Sequence, residues 1–295
     1  MKKLMKKIVL LVIFAIWGTV CSYAQYERPR MPIFNLDDYE VLDFAYLKVT
    51  YRLLSVKDPA KPKETVEDIQ VLQIGTTVSK FYSQYLLQYS ETIAEELRKK
   101  PNTQAIANNP YSGSYGYEVF RNYPIGKVTV TDQAMSLNND SSTYLYEETL
   151  LPIPWTLSSE TKTILSYTCR KATATFRGRS YTAWFTTDIP ISSGPWKFGG
   201  LPGLILQIED TQKHYVWECI GLEQLQPRKE AIKLYNNSYD PISREELDKI
   251  YRRYHKDRVA FRVALGIMVL TNSPDGTPVE IKTGPEIPYN PIELE

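Results

Sequence analysis

Few residues in this chain have the type and spacing of a catalytic site. Hydrolytic and redox sites need a nucleophile beside a base, or paired thiols, and the sequence contains no GxSxG, HExxH or CxxC motif. Histidine occurs only twice, as His214 and His255. The surrounding pattern predicts that His214 lies at a hairpin tip and His255 on a charged helix face, both exposed. The sequence therefore predicts no catalytic residue.

The acidic residues do not form a general acid/base pair either. Glu209 and Asp210 are adjacent in a predicted strand, so their side chains point to opposite faces. Asp188 precedes Ile189 and Pro190, and this order is typical of a residue that caps a turn. We therefore expect a protein that binds rather than catalyses.

Two cysteines, Cys169 and Cys219, lie on either side of the most Gly- and Pro-rich stretch. Cleavage of the signal peptide predicted over residues 1–24 would remove Cys21, so in an oxidising compartment these two can pair only with each other, which predicts a disulfide. Two buried thiols, or a soft metal site, are the alternatives. A metal site would need more ligands, and only His214 and His255 are available. The sequence thus predicts no metal and no cofactor.

Residues 194–206 read Gly-Pro-Trp-Lys-Phe-Gly-Gly-Leu-Pro-Gly-Leu-Ile-Leu and predict a fixed turn that leads into a strand. A phosphate-binding loop is a poor match, because a strand follows the glycines and no GK[ST] ends the segment. With nearby aromatic residues the turn could form an apolar or amphiphilic binding groove, and ordinary core packing is the alternative. The candidate binding residues are Trp184, Trp196, Phe198, Gly199, Gly200, Leu201, Pro202 and Gly203. Alternation places Trp184 on the face opposite Tyr181 and Phe185.

The rest of the chain must supply the elements that position this turn. Apolar and polar residues alternate over many short segments, and Arg177-Gly178-Arg179 predicts a tight hairpin. A period of three to four residues predicts a helix over 85–100, and Ser243 with Glu246 forms a capping box for a second helix. The fold class is therefore mainly β (α+β), a curved antiparallel sheet or half-barrel with two covering helices.

The first 24 residues have the pattern of a secretory signal peptide. Lysines precede an apolar run over residues 8–17, and Ser22-Tyr23-Ala24 forms a cleavage site after Ala24. Lipidation at Cys21 is the alternative, although the usual Leu three residues earlier is absent. We expect one domain over residues 25–295, in the periplasm or outer envelope. The formal net charge of +1 gives no indication of nucleic-acid binding.

Gly200-Leu201-Pro202-Gly203-Leu204-Ile205 resembles the signature of the GLPGLI family, exported Bacteroidetes proteins of unknown function. Other segments that resemble the family are Ser79-Lys80-Phe81-Tyr82, Tyr167-Thr168-Cys169-Arg170-Lys171-Ala172, Ala183-Trp184-Phe185-Thr186, Gly194-Pro195-Trp196-Lys197-Phe198 and Asn290-Pro291-Ile292-Glu293-Leu294. The resemblance covers nearly all of the predicted mature chain and implies no catalytic residues. The order of strands, hairpins, corner and helix is also similar to the half-barrel of envelope lipoprotein carriers.

These observations predict a non-enzymatic binding or carrier protein, or an accessory to outer-membrane transport or assembly. Its partner would be an apolar or amphiphilic ligand or an outer-membrane protein. An envelope hydrolase with a site assembled from scattered residues, and a module that binds only protein, are the other two hypotheses. A deep polar pocket that joins a Ser or Thr to a histidine and a carboxylate would favour the hydrolase.

Overall fold

Sixteen strands and three helices lie within residues 36–99, 115–132, 143–236, 239–266, 269–272 and 277–295, the part described by the computed structural model. The strands are β1 (Tyr39–Ala45), β2 (Leu47–Val56), β3 (Thr65–Ile74), β4 (Ser79–Ser83), β5 (Tyr117–Arg121), β6 (Lys127–Asp132), β7 (Thr143–Thr149), β8 (Thr156–Ile164), β9 (Tyr167–Phe176), β10 (Arg179–Thr186), β11 (Leu204–Asp210), β12 (Tyr215–Gln224), β13 (Glu230–Tyr235), β14 (Tyr239–Pro241), β15 (Val269–Asn272) and β16 (Pro278–Ile281). The helices are α1 (Gln84–Lys99), α2 (Arg244–Lys256) and α3 (Arg258–Ala264). The predicted mainly β fold is confirmed, whereas the predicted signal peptide and Cys21 lie outside the described residues.

Twelve strands form one open sheet in the order β14-β7-β6-β5-β4-β3-β2-β12-β11-β10-β9-β8. Every neighbouring pair in it is antiparallel except β14 and β7, which are parallel. Two separate two-stranded sheets, β1 with β13 and β15 with β16, complete the described strands.

The alternation expected from the sequence appears in the strands around the corner. In β10, Tyr181 and Phe185 are buried while Trp184 is only half-buried on the other face. The hairpin between β9 and β10 turns through Arg177 and Gly178, both with positive φ, which is the backbone a two-residue hairpin favours.

The large sheet is strongly curved. Arg177, in the turn between β9 and β10, forms a 2.6 Å ion pair with Glu148 of β7, near the other end of the strand order. Strands lie about 4.8 Å apart, so these two positions would be about 38–43 Å apart in a flat sheet. The sheet therefore curls until residues from its two ends meet, as a half-barrel requires.

Both predicted helices are present, and they have different neighbours. Helix α2 begins with the predicted capping box, in which Ser243 and Glu246 bond to each other's backbone amides. Its Leu247 is buried in the main core. Helix α1 packs instead against β3 and β4, and its Leu86 lies beside Tyr82.

Phe198, from the Gly/Pro turn, lies at the centre of the core with none of its surface exposed. The rings of Tyr181, Trp196 and Trp217 meet it at centroid distances of 4.7, 5.1 and 5.8 Å in edge-on arrangements. Such packing contributes about 0.5–1.5 kcal/mol per aromatic pair beyond the burial of apolar area. The turn is therefore part of what stabilises the sheet.

Candidate binding clefts at the Gly/Pro corner

The segment between β10 and β11, residues 187–203, is a fixed corner. Its backbone is closed by bonds from Ile191 N to Ile189 O, from Phe198 N to Pro195 O and from Ile205 N to Ser193 O. Trp155 donates its indole N–H to the Gly199 carbonyl at 2.8 Å. These bonds satisfy the polar backbone of a mostly buried loop.

Two glycines are required at the corner for different reasons. A Cβ added to Gly203 would overlap the Thr186 carbonyl, so the chain can pass only without a side chain. Gly200 has φ of +86°, a conformation that costs other residues energy. A Cβ added to Gly200 would lie 3.8 Å from its nearest neighbour, an atom of Trp155.

The predicted binding residues do not form one surface. Trp196 and Leu201 are buried with Phe198 in the core, and Pro202 is exposed. Trp184 lies on the opposite face of β10, where the ammonium of Lys162 is 4.3 Å from its ring centroid. A single groove lined by both tryptophans is therefore wrong, because the side-chain alternation of β10 separates them.

The corner instead contributes to two separate cavities. Trp196 lines a cavity of about 490 Å³, which we call the tyrosine cleft. Gly199 and Gly200 line another of about 510 Å³, which we call the corner pocket. Both volumes are typical of small-ligand sites.

The tyrosine cleft is bounded by the large sheet, helix α2 and the segment 287–295, which we call the tail. The aromatic residues that line it are Tyr115, Tyr117, Tyr146, Trp196, Tyr215, Tyr251, Tyr254 and Tyr289. Several pack on one another; the Tyr251 and Tyr289 rings are stacked with centroids 6.3 Å apart. The sequence gives no signal for the position of the tail against the cleft, because its prolines leave no periodic pattern.

Arg179 anchors the tail. Its guanidinium is buried and pairs with the buried Asp210 carboxylate at 2.9 Å. It also donates to the Asn290 side chain at 2.7 Å and to the carbonyls of Pro291 and Ile292. A buried charge of this kind is stable only when paired and hydrogen-bonded, and the tail supplies part of that pairing.

A second buried cation, Lys197 of the corner, fixes the last residues of the tail. Its ammonium lies 2.6 Å from Glu148 and 2.5 Å from Glu293, and it donates to the Tyr146 hydroxyl. Burial lowers the pKa of Lys197, but Tyr146 and the two carboxylates raise it more, so the net pKa is above the ordinary value. Lys197 is therefore charged and its charge is matched.

The sequence predicted that His255 is exposed on a charged helix face, and this prediction is wrong. It lines the tyrosine cleft half-buried, donates from Nδ1 to the Pro288 carbonyl at 2.7 Å, and packs 4.6 Å from the Tyr289 ring. Burial lowers its pKa, and the charge of Lys57 acts in the same direction. Helical periodicity could not predict these contacts of His255, because Pro288 and Tyr289 belong to the tail.

The predicted disulfide is not formed, and both cysteines are buried free thiols. Cys169 lies in β9 and Cys219 in β12, with β10 and β11 between them. That order separates them by about 14 Å in a flat sheet, whereas a disulfide needs Cα atoms about 4.4–6.8 Å apart. Burial raises the pKa of Cys169 to about 11 and that of Cys219 to about 12, so neither thiol is reactive at neutral pH.

The remaining candidates from the sequence lie apart from both cavities. His214 lies at the hairpin tip, as expected, but is half-buried. Asp188 is exposed, and its backbone N–H donates to the Thr186 hydroxyl. Asp210 is fully buried beside Arg179 while Glu209 is half-buried, in line with the predicted opposite faces.

Within the described residues, no group of three or more His, Cys, Asp and Glu side chains is arranged to hold a metal ion. None of the helices in those ranges has the length and apolar character needed to cross a membrane.

Comparison with known proteins gives one partial family match. The family described as "N-glycanase peptide, N-terminal domain" matches residues 121–243, a region that runs from the end of β5 to the start of α2 and includes the corner. No curated protein matches the chain. The match does not bear on the GLPGLI resemblance, which stays a prediction.

Solved structures give distant similarities. A structure of PNGF-II in a P21 crystal form has 15% identity and a TM-score of 0.46, over 77% of this chain and 35% of that chain. Its C2 form has the same identity and a TM-score of 0.44, over 77% and 34%. An uncharacterized conserved protein from Thermus thermophilus has 9% identity and a TM-score of 0.33, over 69% and 92%. The chain thus spans about a third of the PNGF-II chains that it matches.

Proposed function

We propose that this chain is an exported, non-enzymatic binding protein of the cell envelope, which holds an amphiphilic ligand in the tyrosine cleft. The observation that carries the proposal is the cleft itself, about 490 Å³ in volume and lined by seven tyrosines. Tyrosine offers an apolar ring face and a polar hydroxyl, a combination that suits ligands with both kinds of surface.

An oligosaccharide is the ligand class that we expect. A sugar ring has an apolar face that stacks on aromatic rings and an edge of hydroxyls that needs hydrogen bonds. Asp248, Arg252 and His255 line the same cleft and can form such bonds. The partial match to an N-glycanase N-terminal domain agrees with this class, and makes an accessory role beside a glycan-processing enzyme the natural setting.

Export and family membership are further parts of the proposal. The signal-peptide pattern of residues 1–24, with cleavage after Ala24, supports delivery to the periplasm or outer envelope. The GLPGLI signature supports membership in a family of exported proteins.

A hydrolase is the alternative, because His255 shares the cleft with Asp132 and Asp248. No Ser, Thr or Cys is among the described residues that line the cleft, so the expected combination of a Ser or Thr with a histidine and a carboxylate is not found among them. The Nδ1 atom of His255 is also occupied by the Pro288 carbonyl. These contacts favour binding over catalysis.

The test is binding to an array of released N-linked oligosaccharides, followed by calorimetry on the strongest glycan. Tyr115 and Tyr254 are half-buried in the cleft, and replacing either by Ala should weaken binding about tenfold, since one aromatic contact contributes up to about 1.5 kcal/mol. Tyr39→Ala is the matched control, because Tyr39 lies in β1 and lines neither cavity.

An unchanged affinity in both cleft variants would contradict the proposal. An array with no bound glycan, combined with a protein partner captured from the same envelope, would favour the protein-binding module. Release of sugar or peptide during incubation would favour the hydrolase.

A further inference from the structure

The corner pocket contains a cation with no anionic partner among the described residues. Arg121, the last residue of β5, lies half-buried against the corner and donates from one guanidinium nitrogen to the Lys197 carbonyl at 2.8 Å. Gly199 makes this position possible, because an added Cβ would lie 2.5 Å from the guanidinium. Gly199 thus leaves room for the side chain of Arg121, which belongs to β5 and is distant in sequence.

No carboxylate in the described part of the chain forms an ion pair with Arg121. Burial alone lowers the pKa of Arg121, to about 10, and no neighbouring carboxylate raises it. The buried cations Lys80, Arg179 and Lys197, by contrast, are each paired with a carboxylate. A partly buried guanidinium without such a partner is costly to keep unless a ligand supplies the anion.

A second polar group lines the same pocket without a partner. Ser193 is 5% exposed, and its hydroxyl has no hydrogen-bond partner among the described residues. The neighbouring Ser192 hydroxyl, by contrast, accepts a bond from the Gly200 N–H. Buried hydroxyls are nearly always bonded. The Ser193 oxygen is itself inaccessible, so a ligand in the pocket reaches it only after the side chain turns to another rotamer.

Two carboxylates of the surrounding structure have partners of their own. Asp43, behind Gly75, accepts bonds from the Thr77 N–H, the Thr77 hydroxyl and the Val78 N–H. Glu148 is paired with Lys197 and Arg177. The charge of Glu148 is thus offset by cations, whereas Asp43 is hydrogen-bonded but keeps its negative charge.

The rest of the wall is mixed and partly apolar. The apolar lining residues are Ile74, Val78, Leu150, Leu151, Pro152, Ile153 and Ile191. The volume of about 510 Å³ is far larger than one inorganic ion needs. The site suits a molecule that has an oxyanion at one end and a compact apolar body.

We propose that the corner pocket binds an organic anion, whose carboxylate or phosphate is held by Arg121 and Ser193 and whose apolar body lies against the isoleucine and leucine wall. Arginine suits this role because its planar fork can donate two parallel bonds to such a group. This site is distinct from the tyrosine cleft and does not depend on the function proposed for that cleft.

The test is calorimetric titration of the full chain at low ionic strength with hexanoate, hexyl phosphate and 1-hexanol, which differ in the head group. We expect at least one of the two anions to bind about tenfold or more tightly than 1-hexanol, the range of a charge-assisted hydrogen bond. Arg121→Gln should remove that preference, Arg121→Lys should retain part of it, and Ser193→Ala should weaken the preferred anion about fivefold.

Arg98→Gln is the control, because Arg98 is an exposed residue of α1 and lines neither cavity. Equal binding of the anions and the alcohol, or anion binding unchanged in Arg121→Gln, would overturn the proposal. If Arg121→Gln does not fold, the anion affinity of Ser193→Ala is used in its place. An unchanged anion affinity in that variant would overturn the proposal. Preference for one anion over the other identifies the head group.

Discussion

The tyrosine cleft and the corner pocket have similar volumes, about 490 and 510 Å³, but they treat charge differently. Buried Arg179 and Lys197 hold the tail that bounds the tyrosine cleft, and each is paired with a carboxylate. Lys57, which lines the tyrosine cleft, has no carboxylate partner among the described residues, but its ammonium lies 3.5 Å from the centroid of the Tyr115 ring. In the corner pocket, Arg121 has no carboxylate partner among the described residues, and the Ser193 hydroxyl is free. The first cavity is aromatic, and the second is lined by a guanidinium without an anion.

This difference predicts how each cavity would select the ligand that we propose for it. A cleft walled by aromatic rings can select by shape and by aromatic contact, and it suits a neutral amphiphilic molecule. A pocket with an unmatched cation selects by charge. The corner supplies one wall to each cavity, so substitutions in it separate structural roles from binding roles.

The largest effect is expected for Gly203→Val. The new side chain would overlap the Thr186 carbonyl in a fully buried part of the sheet, so we expect a loss of about 4 kcal/mol or more, or no folded protein. Gly200→Ala is the matched comparison: its cost should be about 1–2 kcal/mol, from the left-handed backbone alone. Urea unfolding of both variants measures the difference. Equal destabilisation would mean that the two glycines have the same role.

Breaking the buried charge pair that anchors the tail should come next. Arg179→Met leaves the buried Asp210 carboxylate without its partner and releases three bonds to the tail, with an expected loss of about 3 kcal/mol. Arg98→Met removes an exposed ion pair with Asp37 and should cost less than about 1 kcal/mol. Thermal unfolding compares the two. A loss as small as that of Arg98→Met would show that the tail is not anchored by Arg179.

A smaller effect is expected when only the tail is loosened. The Asn290 side chain donates to the Val56 carbonyl and accepts from Arg179, so Asn290→Ala should cost about 1–2 kcal/mol. Amide hydrogen exchange should become faster in residues 287–295, while the strands around the corner pocket keep their protection. Faster exchange in both regions would indicate that the two cavities are not independent.

The smallest expected effect is the pH dependence that His255 contributes. Burial lowers its pKa in the folded chain, so the unfolded chain binds the proton more readily. The stability contributed by neutral His255 is complete above the ordinary pKa of 6.5 and is lost as the pH falls through the lower folded value. His255→Phe keeps the packing on Tyr289 and should reduce the loss of stability on acidification. An identical decline in both proteins between pH 7.5 and pH 5 would contradict this role.

Local sequence patterns predicted much of the fold. Alternation identified the strands of the corner hairpins, Arg177 and Gly178 form the predicted hairpin turn, and Ser243 with Glu246 forms the predicted capping box. Each of these depends on neighbours within a few residues, which is the information that a sequence carries most directly.

The parts that could not be predicted depend on topology. Cys169 and Cys219 flank the corner in sequence, but two strands lie between them in the sheet. Lys197 and Glu293 meet only because the tail returns to the corner, and Arg121 meets Gly199 only because the sheet curves. No local pattern marks the tail as a wall of a cleft, since Pro-rich sequence has no period.

The central claim is that the tyrosine cleft holds an amphiphilic ligand. Native mass spectrometry of the protein purified from its own envelope tests this most directly, with the wild type and Tyr254→Ala prepared in the same way. We expect an additional mass on the wild type, released as an oligosaccharide on denaturation and reduced in Tyr254→Ala. A bare wild-type mass, or an additional mass retained equally by the variant, would contradict it.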